Sequence, residues 1–430
     1  MYVSVKLKFL ICLIIALAWL ILCFWLSLPW IADLAVYISI IPSLIIVFSI
    51  ALIPGFMFMF LLTSYLLDQR ESKKINNYYP PLTILIAAYN EEEIIKSTLM
   101  AIKNQVYPNY IETILIDDGS EDRTIKYAET VGLENIHIIQ AQHNGKAAAL
   151  NVGLTKAKFD WIITLDADTY LLPNAIKELV NKLFSGPEGT IACAGSVYVK
   201  NSRQTLMTRI QEWDYFHAIA VIKRSQSLLQ GTLVAQGAFS IYKKTALEEI
   251  GGWPLLVGED IVLTWALLNK GYRIDFAEKA ICFTSVPTTY RQFFYQRSRW
   301  ARGLIEAFYH HIRTLIRPRL ATFYVYWNLG FILFDTIFFF VFIPGLIAAL
   351  FGYYFIAGPM TLALIPLALL NNLIFFIGQK DLFKLSGLRV RKNIMGFILY
   401  LLFYQFLMNP AVIHGYFSEL IRIKKTWGTK

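Results

Sequence analysis

Charge is scarce in this sequence. Of its 430 residues only 16% are Asp, Glu, Lys or Arg, against about 25% in soluble domains, and that deficit excludes a chain that lies wholly in water. Cysteine is also scarce: Cys12, Cys23, Cys193 and Cys282 form neither a metal spacing nor a disulfide framework, and free thiols in a reducing compartment are the expectation. No Gly-x-Gly-x-x-Gly follows the first expected strand, where Ala88-Tyr89-Asn90-Glu91 stands instead, so the dinucleotide-binding fingerprint is excluded. Nor is there a zinc spacing, a basic stripe or an RNA-recognition signature, which sets nucleic acid aside as a partner.

Apolar residues take the place of the missing charge. They make up 56% of the chain, the mean hydropathy is +0.50, and the net charge of +10 fits basic cytoplasmic flanks and an anionic substrate. Residues 9–28 form an apolar run long enough to cross a bilayer, with Lys6 and Lys8 before it and no small-residue cleavage site after it, so a retained anchor is expected. A second run covers 34–67, is interrupted by Pro42 and Pro54, and ends at Arg70, Lys73 and Lys74. Lysines before the first span and basic residues after the second place 68–320 in the cytoplasm. Three more apolar runs follow, within 321–350, 360–377 and 394–417, the second trailed by Lys380, Lys384, Arg389, Arg391 and Lys392. If the last run spans, the tail with Arg422, Lys424 and Lys425 falls outside, against the positive-inside tendency; an interfacial or re-entrant helix is the alternative. Its Gln405, Asn409-Pro410 and His414 suit a water-filled path or a helix contact better than lipid.

The middle of the chain changes period. Residues 82–88 and 111–116 read as strands, a third lies near 136–139 and a fourth at 161–165, each followed by a helical pattern. Tyr89-Asn90-Glu91-Glu92-Glu93 reads as a capped helix start. This alternation predicts an α/β domain with a mainly parallel central sheet. Ligands sit at the carboxyl ends of such strands, and here those ends are polar: Asn90, Asp118 of Asp117-Asp118-Gly119-Ser120, Lys146 after Asn144-Gly145, and Asp166-x-Asp168. Paired carboxylates at a strand end suit Mg²⁺ or Mn²⁺ bridging a diphosphate, although each motif alone is as readily a turn before a helix. Gly237 in Gln236-Gly237-Ala238 would let backbone approach a sugar closely. Gly258-Glu259-Asp260 opens a helix over 261–269, and Asp260 reads either as a first-turn acid or as a general base. Gln296, Arg299 and Trp300 lie in a basic, aromatic helical stretch that either rests at the membrane interface or holds an acceptor and a departing diphosphate.

The motifs Asp-Asp118-Gly-Ser, Asp166-x-Asp168, Gly-Glu259-Asp260 and Gln296-x-x-Arg299-Trp300, in that order and between membrane runs, resemble those of the processive family-2 glycosyltransferases. Cellulose, chitin, hyaluronan and poly-N-acetylglucosamine synthases belong to that family. The resemblance implies a GT-A fold, a UDP-sugar donor, a divalent metal and inversion at the anomeric carbon. It assigns Asp118 to the uridine part, Asp166 to the phosphate region, Asp166 and Asp168 to the metal, and Asp260 to the base. Asn90, Lys146, Gly237 and Glu259 join the substrate site, and Gln296, Arg299 and Trp300 hold the acceptor end and the pyrophosphate.

The domain plan is two spans within 1–67, the catalytic domain at 68–288, interfacial helices at 289–320, about three spans within 321–417 and a basic tail at 418–430. Two spans before and about three after, in a chain of this length, most resemble the bacterial poly-β-1,6-N-acetylglucosamine synthases. Gly258 departs from the Thr that precedes Glu-Asp in that subfamily; Gly-Glu-Asp also occurs among chitin-type relatives. The expected protein is an inner-membrane bacterial enzyme with a cytoplasmic catalytic domain, acting on UDP-N-acetylglucosamine and a growing polysaccharide, with a small membrane partner subunit as a further candidate. Other β-glycan synthases (chitin-, hyaluronan- or cellulose-like), a non-processive enzyme acting on a membrane lipid and a catalytically silent membrane protein are the alternatives.

Overall fold

A strand that is apolar on both faces is stable only between two covering layers, and 82–88 is such a strand. The computed structural model describes residues 3–69, 76–229, 231–362 and 364–423, and in it this stretch forms β1 (Leu82–Ala88) inside an eight-stranded sheet. The others are β2 (Ile111–Asp117), β3 (Ile136–Gln140), β4 (Trp161–Leu165), β5 (Tyr170–Leu171), β6 (Thr190–Val199), β7 (Phe239–Lys243) and β8 (Arg273–Thr284), in the order β3-β2-β1-β4-β7-β6-β8-β5. Strands β1 to β4 are parallel, with Leu82 beside Ile111 and Thr83 beside Ile162. β7 is antiparallel to both β4 and β6. The reversal has a simple cause: between β6 and β7 the chain makes a helical excursion, Leu206–Leu228, at the carboxyl edge of the sheet and re-enters from that same edge.

Period-two alternation divides β1 between two cores. Ile84 and Ile86 join Leu99, Ile176 and Leu179 on one side. Leu85 joins Ile116, Leu150 and Leu154 on the other, and that core continues through Phe60, Tyr324 and Trp327 into the apolar helices. Asn90 does not cap the following helix as expected. It sits at φ 55°, the helix Ile95–Lys103 starts later without a side-chain cap, and Asn90 Oδ1 accepts instead from the Glu121 N–H at 2.9 Å. A loop-to-loop bond across the strand ends has displaced the local cap.

Among the described residues four helices are long and apolar enough to cross a membrane: Val5–Ile38, Ile40–Leu66, Thr322–Leu350 and Ile394–Leu420. Arg70, Lys73, Lys74, Lys424 and Lys425 lie outside the described residues. Pro54 does not break the second helix, because a π-helical stretch, Phe48–Leu52, precedes it and widens the turn that the proline would otherwise crowd; Phe338–Phe342 does the same before Pro344. Most of the run expected at 360–377 lies in the helix Leu364–Leu385; its Ala363 lies outside the described residues. Helix Ile394–Leu420 lies along helix Tyr290–His311: the Tyr290 hydroxyl donates to the Leu407 carbonyl at 3.3 Å, Ser298 bonds His414 at 2.8 Å, and Arg302 donates to Glu419 at 3.0 Å. A Cβ on Gly415 would stand 2.4 Å from the Ser298 carbonyl oxygen, so glycine sets the closeness of the pair.

The segment between β6 and β7 is tied to the ends of the apolar helices by polar contacts. Ser225 bonds both Ser64 and Tyr324 at 2.5 Å, and Arg224 pairs with Asp68 at the end of the second helix.

Candidate active site

The carboxyl ends of β1, β2 and β4 bring three loops together. Asp118, buried after β2, accepts from the Asn144 N–H at 3.0 Å and the Gly145 N–H at 2.9 Å. Gly145 has φ 88°, a conformation that glycine adopts without strain, and it starts the helix Lys146–Lys156. This pin aims Lys146 across the strand ends. Its ammonium binds Asp166 and lies 3.6 Å from Glu259. Burial opposes the Lys146 charge, but Asp166 and then Glu259 outweigh it and hold its pKa above the usual lysine range. Burial raises the Glu259 carboxyl, against the pull of Lys146, and burial reinforced by the Asp166 charge raises Asp168.

Asp168 accepts from the Thr284 hydroxyl at 3.0 Å. Asp166 and Asp168 present only oxygen donors, and no cluster of three or more metal-binding side chains occurs among the described residues. That donor set fits a hard divalent cation that keeps much of its coordination on phosphate and water. Gly237 also faces this point, since a Cβ there would meet Lys146 Nζ at 2.6 Å; its lack of a side chain leaves room for the lysine.

Asp260 lies in the first turn of helix Glu259–Asn269, where Oδ1 accepts from the Ile261 N–H at 2.8 Å. It acts electrostatically on Lys146 and on Lys223, whose pKa burial lowers to about 7. Arg299 has no hydrogen-bond or ion-pair partner among the described residues, yet is close enough to bear on Glu259. Gln296 Oε1 is buried without a partner, as is Gln236 Oε1; a buried orphan acceptor calls for a donor. Trp300 is 43% exposed, with the Arg297 guanidinium 3.9 Å from its ring centroid.

Helix Tyr290–His311 sets the start of the Asp260 helix. Glu306, buried in Tyr290–His311, accepts from the Gly258 N–H at 2.8 Å, and a Cβ on Gly258 would lie 2.4 Å from Gly303 Cα. This contact explains the Gly in place of Thr: two backbones touch where a side chain would stand. Gly258→Thr is expected to lower stability by about 1–3 kcal/mol through overpacking, read as a fall in thermal midpoint in detergent; an unchanged midpoint would sink this account. Sequence reasoning missed Glu306 and Gly303, which carry no motif, and His143, whose ring stacks on Tyr89 at 4.2 Å and bonds Asp118 at 3.0 Å.

Residues 83–251 match the family model "Glycosyl transferase family 2". That stretch resembles a family-2 glycosyltransferase domain and includes Asn90, Asp118, Lys146, Asp166 and Asp168. The chain is 33% identical over 240 residues to the poly-beta-1,6-N-acetyl-D-glucosamine synthase of Staphylococcus aureus (strain COL), a match covering 54% of this chain and 58% of that protein. The synthase of Staphylococcus epidermidis is 32% identical, over 57% of this chain and 59% of its own. The match thus spans less than two thirds of these curated relatives. A mannosyltransferase from Pyrobaculum calidifontis, solved with GDP-Man and Mn2+, superposes with a TM-score of 0.57 at 19% identity, covering 85% of this chain and 95% of its own. That likeness is one of fold alone, and with the sheet described above it gives the central domain a GT-A fold.

Proposed function

We propose that the protein is a membrane-embedded, inverting and processive glycosyltransferase that extends a β-linked N-acetylglucosamine polymer from UDP-N-acetylglucosamine at the cytoplasmic face of a bacterial inner membrane. The observation that carries the reading is the charge arrangement at the strand ends: Lys146 bridges Asp166 and Glu259, and Asp168, Asp260 and Arg299 surround that bridge in a family-2 domain. The printed names of the staphylococcal relatives support the choice of polymer.

In this reading Asp118 and the Tyr89–His143 stack meet the uridine part, with Asn90 holding the loop beside them. Lys146 and Arg299 face the diphosphate and bear its charge as it departs. A Mg²⁺ or Mn²⁺ ion bound by Asp166 and Asp168 supplies further positive charge for the diphosphate. Asp260 accepts the proton of the acceptor hydroxyl as that oxygen attacks the anomeric carbon. One base and one displacement invert the configuration. Gln296 and Gln236 offer orphan acceptors to sugar hydroxyls, Gly237 leaves space beside Lys146, and the exposed face of Trp300 receives a sugar ring.

Radiolabelled UDP-sugar incorporation by the purified chain in lipid tests this. High-molecular-weight product from UDP-N-acetylglucosamine alone, lost on chelation and restored by Mn²⁺ or Mg²⁺, is expected. A single sugar on lipid would make the enzyme non-processive, and polymer from UDP-glucose would change the donor.

A further inference from the structure

Two cavities meet at Trp213. One, of about 390 Å³, lies between the β5–β8–β6 edge and the 386–393 loop, and its rim carries Lys200, Arg389 and Arg391, all exposed. Its one carboxylate, Glu212, is already held by Arg203 and by the Asn393 amide, so the rim is positive. The other, of about 370 Å³, lies between helix Leu364–Leu385 and the start of Ile394–Leu420, and is walled by Leu369, Leu370, Leu373, Phe376 and Phe397. Its one polar lining residue, Asn372, is engaged by His217 Nδ1 at 2.8 Å. Trp213 lines both. Its indole N–H donates to the Asn393 carbonyl at 2.9 Å, and its ring meets Phe397 at 4.8 Å and Phe376 at 5.9 Å on the apolar side. None of Lys146, Asp166, Asp168, Asp260 or Arg299 lines either cavity.

From this pairing we infer a binding site for an anionic glycerophospholipid, with the headgroup phosphate at Lys200, Arg389 and Arg391 and an acyl chain beyond Trp213 in the apolar cavity. A soluble anion leaves the apolar cavity without a matching group, and a neutral lipid leaves the three cations without one. Only a molecule with both halves answers both walls. Arg389 and Arg391 have no ion-pair partner among the described residues, and basic side chains at a membrane face gain from anionic headgroups. The site ties the 386–393 loop, which joins two apolar helices, to Tyr170, two residues beyond Asp168. It rests on the membrane placement and not on the donor or polymer proposed above.

The test is native mass spectrometry of the full chain released from nanodiscs with equal phosphatidylglycerol and phosphatidylcholine. Wild type is expected to retain phosphatidylglycerol preferentially. Arg389→Gln with Arg391→Gln should cut that preference about thirty-fold, as the loss of two interfacial cations implies. Leu373→Trp, which fills the apolar cavity and leaves the cations in place, should also release the lipid. Equal retention of both lipids by wild type, an unchanged preference in the variants, or displacement by equimolar glycerol phosphate would overturn the proposal, the last by making the site one for a soluble anion.

Discussion

Asp260→Asn is expected to lower the rate of sugar transfer about a thousandfold, the scale of a lost general base, with donor binding nearly unchanged. The substitution is suited to the question because Asn retains the side-chain oxygen that accepts from the Ile261 N–H, so the helix start survives while the basic oxygen is lost. Lys146 keeps its two nearer carboxylates, Asp166 and Glu259, and the diphosphate pocket stays formed. Single-turnover transfer and UDP binding, measured on the same preparation, separate the two effects. Residual transfer within tenfold of wild type would remove Asp260 from the role of base.

The second large effect is on stability. Arg297 and Asp214 form a buried pair at 2.7 Å, their side chains 3% and 7% exposed. Burial raises the Asp214 carboxyl despite the attraction of Arg297, while burial acts against the Arg297 charge and Tyr404 and Asp214 outweigh it. Asp214→Ala leaves the Arg297 charge buried and alone, and a loss of about 3–5 kcal/mol is expected. Trp300, which stacks on Arg297, should lose its platform. Replacing both partners by apolar residues, Asp214→Leu with Arg297→Met, should restore stability to within about 1 kcal/mol of wild type. Chemical denaturation in micelles reads both, and a single variant as stable as the double one would show that the pair contributes little.

How far the sequence reached depended on range. The β1 stretch is legible with its bounds because seven apolar or small residues stand between Pro80-Pro81 and Tyr89-Asn90 and leave few other structures. Asp166 and Asp168 are legible as strand-end residues because five apolar or β-branched residues, 161–165, run directly into them. The same local logic failed at Asn90, whose expected cap lost to a bond with Glu121 from a different loop. The direction of β7 was likewise illegible, since alternation of strand and helix implies direction only while every connection crosses the sheet.

By itself, then, the sequence determined what depends on neighbours along the chain: which segments are long and apolar enough to cross a membrane, which strands are buried on both faces, and which polar residues stand at their ends. Those follow from hydropathy and from periods of 2 and 3.6 residues. Tertiary structure alone decided the partners. Lys146 reaches Glu259, Glu306 holds the Gly258 N–H, Gly258 touches Gly303, and Trp213 divides a basic cavity from an apolar one. Each joins residues distant in sequence, and hydrogen bonding, close packing and charge act over a few ångströms of space, whatever length of chain lies between.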